Sequence, residues 1–371
     1  MDLNVRRSDL LRELHLFQGI VERKNTIPIL ANVLFEATDD GSLKLLATDL
    51  EVGLRCCCPA KVSKTGSLTI PAKKIYEIVR ALPETEIQIR QGPKGSVEIS
   101  ADEFKSRMQT LPFEDFPKLA KPGEGLRRLL PREALREMVT KTQFAITGED
   151  TRFFLNGALF VLTAEQMRLV ATDGHRLALV SALRKSEKKD EEETSVILPK
   201  KTLLELARLL ADGDGDVQYE STENNLFFEV NGRQLISRMI DAKFPSYERV
   251  IPEGNDKNIE FERDRLMSAI KRVAVLSSER SRAVKFLIDK EKVEVVSNSP
   301  EVGEAKEVLF VDYTGPKLEI CFNAQYVLDF LGVTEAGGIN LEFKDEKSQA
   351  VLRPGSTDGC DYTYVIMPMR V

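Results

Sequence analysis

The chain has no apolar run near the roughly 20 residues that a membrane-crossing helix needs, which excludes that class. Its first residues, MDLNVRRSDLLREL, contain no apolar h-region ahead of a small-residue cleavage site, so the expected location is the cytosol. Five cysteines are present and none forms a CxxC pair. Cys56, Cys57 and Cys58 are adjacent, and neighbours on a strand point to opposite faces, so they cannot form an ordinary zinc set. Together with Cys321 and Cys360 they read as reduced thiols serving as small apolar residues. There are only two histidines, no HExxH, no GxxxxGK[ST] and no strand-borne GxGxxG. His15 and His175 have no serine or cysteine partner by spacing, so no nucleophile, base and oxyanion site assemble. The run Asp212-Gly-Asp214-Gly-Asp216, with Glu223 in its twelfth position, imitates a calcium loop but has Val217 where the glycine belongs. It reads as an acidic turn leaving a helix. No catalytic residue, metal or cofactor is expected, and a phosphate-processing enzyme built on this loop stands far behind other readings. The net charge of −6 argues against a protein that coats nucleic acid by bulk attraction.

What the chain does have is a threefold repeat. Thr48-Asp49 returns as Thr172-Asp173, Pro71 as Pro199, and Phe116-Pro117 as Phe244-Pro245. A fainter third copy places Ser297-Asn298 against Thr172-Asp173, Asn323 against Pro199, and Met367-Pro368 against Phe244-Pro245. The period of about 124 residues is a repeated domain, since solenoid repeats run roughly 20 to 50. The expected domains are 1–123, 124–254 and 255–371, with linkers near KPGEG (121–125) and PEGNDK (252–257). RKSEKKDEEE (184–193) is a solvated loop by composition.

Each repeat shows two amphipathic helical stretches among many short strands, an α+β unit with helices gathered on antiparallel sheets. The first helices cover 6–21, 131–143 and 262–274, with Ser8 a possible start signal and Pro131 suited to a first turn. The second helices open at Pro71, Pro199 and Asn323. These six stretches carry a net +7 against −6 for the chain, leaving −13 elsewhere. Snorkelling of long basic side chains accounts for part of that bias. The sharper reading is a basic helical surface facing a polyanion, holding phosphates without reading bases. The C-terminal VIMPMRV is either a final strand closing a sheet or a deformable Met-lined groove for peptides.

Over its whole length the chain resembles the bacterial DNA polymerase III beta subunit family, the sliding clamps. The resemblance rests on ATDLE at 47–51, IPAKK at 70–74, DTRFFLNG at 150–157, ATDGHRLA at 171–178, LPKK at 198–201, KFPSYERVIP at 243–252 and the terminal MPMRV. It implies a head-to-tail homodimer, a six-domain ring with helices lining the hole. It also implies a non-catalytic processivity factor that encircles duplex DNA. The implied partners are double-stranded DNA, a second copy, the DNA polymerase III alpha subunit, the clamp loader, and other polymerases and repair proteins bringing short peptides. The alternative is a protein-binding scaffold that never encircles DNA.

The resemblance implies a peptide pocket of Arg152, Leu155, Thr172, Gly174, His175, Arg176, Leu177, Pro245, Arg249 and Val250. Its other wall is Asn323, Tyr326, Val365, Ile366, Met367, Pro368, Met369 and Arg370. DNA-facing positions map to Lys24, Glu149, Phe153, Phe154, Lys200, Lys201, Arg280 and Arg282, with Phe153 and Phe154 where tyrosines are common and Glu149 where glutamine can occur. The implied subunit contact sets Lys73, Lys74, Ile78, Lys105, Arg107 and Met108 against Val275, Leu276, Glu301, Glu304 and Glu307. Val371 ends the chain where leucine is usual.

Overall fold

The computed structural model describes residues 1–371 except 23–25, 124–126, 149, 186–191, 279, 301–302, 357–358 and 371. Two helices form in each repeat: α1 (Arg7–Ile20) and α2 (Ala72–Ala81), α3 (Arg132–Thr142) and α4 (Lys200–Leu210), α5 (Arg263–Ala274) and α6 (Ala324–Val333). The expected start signals hold for the second helices. Pro71 and Pro199 immediately precede α2 and α4, and Asn323 caps α6 by accepting from the N–H groups of Gln325 (2.9 Å) and Tyr326 (3.4 Å). Ser8 does not cap α1. That end is satisfied from a distant loop: Arg7 N–H donates to the Thr85 carbonyl (2.9 Å) and Ser8 N–H to the Glu84 carboxylate (3.2 Å). Glu262, unforeseen, caps α5 through the N–H groups of Asp264 and Arg265 (both 2.9 Å). With these boundaries the helices still hold 15 cations and 8 anions, a net +7.

Backbone contacts group the chain into two compact units, residues 1–132 with 201–239, and 133–200 with 240–371. Each holds one eight-stranded antiparallel sheet shared between consecutive repeats. In the first unit the order is 128–130, 217–221, 225–230, 233–238, 52–59, 42–48, 32–37, 66–71. In the second it is 194–199, 157–162, 166–172, 176–183, 360–366, 350–354, 338–343, 257–262. The repeats are thus joined by strand pairing: Val52–Pro59 with Arg233–Arg238, and Arg176–Leu183 with Cys360–Ile366. Each unit also has a sheet of its own. The first unit's runs 61–64, 2–6, 86–92, 96–101, 104–109, and the second's runs 303–310, 292–299, 283–289, 318–323.

The ladders fix the equivalences between repeats better than residue identity can. Phe35, Phe160 and Phe286, all fully buried, pair with Leu45, Leu169 and Val295. Those in turn pair with Cys56, Val180 and Glu307. This corrects two third-repeat matches. Asn298, not Ser297, occupies the place of Thr48 and Thr172 along its strand. Met367 matches Arg238, not Phe244: Met367 N–H donates to the His175 carbonyl (2.9 Å) as Arg238 N–H does to that of Glu51 (2.9 Å). At the C-terminus the strand runs to Ile366 and the chain then leaves the sheet.

Cys56 and Cys58 are buried and Cys57 exposed, the expected alternation; burial pushes the Cys58 thiol up to about 12, far from thiolate reactivity. The Asp212 run connects α4 to the strand Val217–Ser221, with Gly213 (φ 97°) and Gly215 (φ 90°) making the turn. Among the described residues no group of three or more His, Cys, Asp or Glu is arranged to hold a metal.

Candidate functional site

Every described residue of the expected peptide pocket falls in the second unit. Its floor is a buried apolar cluster of Leu159, Val161, Val170, Leu177, Ile197, Phe244, Tyr247, Val351 and Val365. Phe154, Leu179, Ile240, Val250 and Ile251 pack against its edge, half-buried. Only Leu177, Val365 and Val250 of these were expected from the sequence. Phe244 and Tyr247 were detectable, because the Phe-Pro repeat marks the segment, but only Pro245, Arg249 and Val250 were assigned in it. Ile197 and Val351 carry no local signal, since strand pairing inside their own repeats brings them in, Ile197 beside Leu159 and Val351 beside Val365.

One lip is the turn Thr172–Arg176. Thr172 Oγ1 donates to the Arg176 carbonyl (2.6 Å) and accepts from Gly174 N–H (3.1 Å). Asp173 accepts from the N–H groups of His175 (2.9 Å) and Arg176 (3.0 Å). Gly174 adopts φ 88°, and a Cβ there would sit 3.4 Å from the Arg152 guanidinium. Arg152 is held by two bonds to Asp150 (3.0 and 2.9 Å), and that pairing keeps the Asp150 carboxyl down at about 2. His175, Pro245 and Arg249 are exposed and Leu155 is buried. The other lip is the C-terminal segment. Met367 is 37 % exposed, Pro368 and Met369 are half-buried, Arg370 is exposed, and Met369 N–H donates to the Cys321 carbonyl (2.7 Å).

Several expected pocket residues make bonds that hold the groove's own structure. Arg176 is buried and donates to Asp173 (3.0 Å), Asp329 (2.5 Å) and the Phe144 carbonyl (2.7 Å), with its guanidinium 4.2 Å from the Tyr326 ring centre. Burial alone would lower its pKa, but its partners hold it well above the ordinary value, so it is a locked cation that fixes the turn. Asn323 is spent on capping α6, and the Tyr326 carbonyl accepts from Tyr364 OH (2.9 Å). Ile366 is buried in the last strand.

The expected DNA-facing residues are divided between the two units, and several of them have partners of their own. Lys24 and Glu149 lie outside the described residues. Phe153 is 71 % exposed, but Phe154 turns into the groove, edge-on to Phe244 with ring centres 6.4 Å apart. Lys200 donates to the Ile146 carbonyl (3.0 Å). Lys201 donates to the Ile20 carbonyl (3.0 Å) and pairs with Asp49, with Glu22 at 3.6 Å. Its charge is neutralised within its own unit. Arg280 and Arg282 are exposed. Phe154 is thus drawn in by apolar packing and Lys201 by a buried carboxylate.

The expected subunit-contact residues occupy two open edges. In the first unit, Lys73 and Lys74 flank Glu77 on α2 (3.8 and 3.6 Å), and Ile78 is half-buried. Lys105, Arg107 and Met108 lie on the edge strand 104–109, with Arg107 bonded to Glu98 (3.1 Å). In the second unit, Val275 is 74 % exposed, Leu276 half-buried, and Glu304 and Glu307 lie on the edge strand 303–310. Glu307 already accepts from Arg272 (2.8 and 2.5 Å). Glu301 and Val371 lie outside the described residues.

A triplicated α+β unit, joined sheet to sheet and carrying an apolar groove beside its last strand, defines the class: a DNA clamp. Family models of the DNA polymerase III beta subunit match in chain order, the N-terminal domain over residues 1–120, the central domain over 129–246 and the C-terminal domain over 248–370. The beta sliding clamp of Pseudomonas putida is 36 % identical and that of Escherichia coli strain K12 34 %, each over the full length of both chains. The solved DnaN sliding clamps of Pseudomonas aeruginosa and Bartonella birtlesii, both bound to griselimycin, superpose with TM-scores of 0.92 and 0.94 at 35 % and 37 % identity, covering all of each chain. The chain belongs to the DNA polymerase III beta subunit family, the beta sliding clamps.

Proposed function

We propose that this chain closes with a second copy into a ring around duplex DNA and tethers DNA-processing proteins through the groove beside Met367. One observation carries the reading. Each internal junction pairs the fourth strand of one repeat with the last strand of the next. Applying the same rule to the third repeat calls for pairing strand 303–310 with a last strand of first-repeat type, 104–109. Both are sheet edges in this chain. A second copy, head to tail, satisfies both edges at once, a heterologous contact whose rotation closes.

A closed ring cannot leave a duplex sideways, so weak, sequence-blind phosphate contacts suffice. The net +7 on the helices supplies them, although several helix cations already have internal partners. The protein needs no catalytic group; holding a polymerase at the template raises its effective concentration. The groove fits short peptides with apolar anchors, at which the DNA polymerase III alpha subunit, a clamp loader and other polymerases or repair proteins would dock. These events belong in the cytoplasm, with the DNA.

Loading onto a nicked circular plasmid tests the reading. Retention on the circle with release after linearisation is expected. Equal retention on circle and line would support the alternative, a scaffold that never encircles DNA.

A further inference from the structure

We infer that Phe104 anchors the contact between copies, its ring lying against the Arg272–Glu307 pair of the second copy, in a register that sets Arg107 opposite Glu304. The inference rests on the ring reading and adds which atoms hold it.

The first internal junction places Arg233, the first residue after a tight turn at Asn231 (φ 51°), across from Cys56 by extension of the ladder that pairs Gln234 with Arg55. The second places Tyr362 across from Val180. Phe104 holds the same place in its own hairpin: the turn starts at Asp102 (φ 48°), and Ala101 pairs with Phe104 as Val230 does with Arg233. Glu307 holds the place of Cys56 and Val180. Residues at this place bond to the first helix of a repeat, Tyr362 buried and Arg233 half-buried. Arg233 bonds twice to Glu13 on α1 (2.8 and 2.7 Å). Tyr362 donates to the Lys141 carbonyl on α3 (3.0 Å) with the Lys141 ammonium 5.6 Å from its ring centre. Arg272 is the tenth residue of α5, as Lys141 is of α3. Phe104, 37 % exposed in the single chain, is therefore the aromatic that Arg272 of a second copy covers.

Continuing the register sets Ser106 opposite Ala305 and Met108 opposite Gly303. On the other face an alternating row runs Asp2, Arg90, Glu98, Arg107 across four paired strands and stops on a cation at the open edge. Glu304 of the second copy extends that row with the opposite sign, while a one-residue slip would set Arg107 against Ala305 or Gly303. Opposite charges directly across a ladder favour the pairing and like charges oppose it.

The test uses the full chain. Phe104→Ala should weaken dimerisation by at least about 30-fold, the effect of losing a buried aromatic anchor, read by sedimentation over a dilution series. The variant carrying Ser106→Cys and Ala305→Cys should cross-link between copies under copper–phenanthroline, while Ser106→Cys with Glu307→Cys should not. If the unsubstituted chain dimerises but Phe104→Ala matches it, or only the shifted cysteine pair links, this inference falls and the ring survives. If the unsubstituted chain is monomeric throughout, the ring reading itself falls.

Discussion

The two internal junctions share a backbone and differ in what fills it. At the first, a buried carboxylate (Glu13, 2 % exposed) is clasped by Arg233. Burial alone would raise the Glu13 carboxyl, but the two-point bond from Arg233 outweighs it and holds the group below its ordinary value. At the second, an aromatic, Tyr362, occupies the place of Arg233. The adjacent grooves diverge too. Gly53 stands where Leu177 does, and Leu119 moves in so that its Cδ2 would lie 3.0 Å from a Cβ at Gly53. The first groove is thereby filled by its own chain, over a cluster of Ile29, Leu30, Leu34, Leu46 and Phe116. The second keeps Leu177 as a floor residue and stays lined for a ligand. One fold used twice gives one seam filled by its own chain and one that we propose as the docking seam, and a few side chains decide which.

Breaking the ionic seam has the largest expected effect. Glu13→Ala leaves the half-buried Arg233 without its partner and should cost about 3–5 kcal/mol in urea unfolding of the first unit. Replacing Glu13 with Met and Arg233 with Tyr, which puts an apolar residue and an aromatic in place of the ion pair, should recover most of that loss. The Glu13 contribution is fully present above the ordinary carboxylate range and fades as pH falls through its lowered value, so wild type and the double variant should converge in acid.

Leu177→Ala should cost about 2–4 kcal/mol through the cavity it leaves. It should also weaken binding of an apolar-anchored peptide measured by fluorescence polarisation. The reverse exchange, Gly53→Leu, meets Leu119 and should cost about 1–3 kcal/mol by overpacking.

How much of this was legible beforehand follows from range along the chain. Repeats, helices and the Thr-Asp turns are local signals, and Pro71, Pro199 and Asn323 mark helix starts directly. The groove floor is not local, because Ile197 pairs with Leu159 and Val351 with Val365 inside their own repeats, and only the pairing of Leu177 with Val365 joins the two halves. Partner choice was hidden as well: Lys201 and Arg176 look like ligand-binding cations in sequence, and only the fold shows the carboxylates that claim them. The third repeat was misaligned by residue identity because its equivalence lies in ladder pairs such as Val295 with Glu307.

Smaller effects sharpen the comparison of the two turns. Gly174→Leu copies Leu50, which adopts φ 82° in the first turn, and should cost about 1–2 kcal/mol for a left-handed leucine while crowding Arg152. Leu50→Gly should be neutral or slightly stabilising. Deleting Met367–Val371 removes one lip of the groove and should abolish peptide binding while leaving self-association intact, as polarisation and light scattering would show.

The central claim is that the two open strands are halves of one more junction, completed by a second copy. Native mass measurement tests it most directly. A species at twice 41.7 kDa that persists on dilution to the nanomolar range is the predicted result. A single 41.7 kDa species at every workable concentration would contradict it.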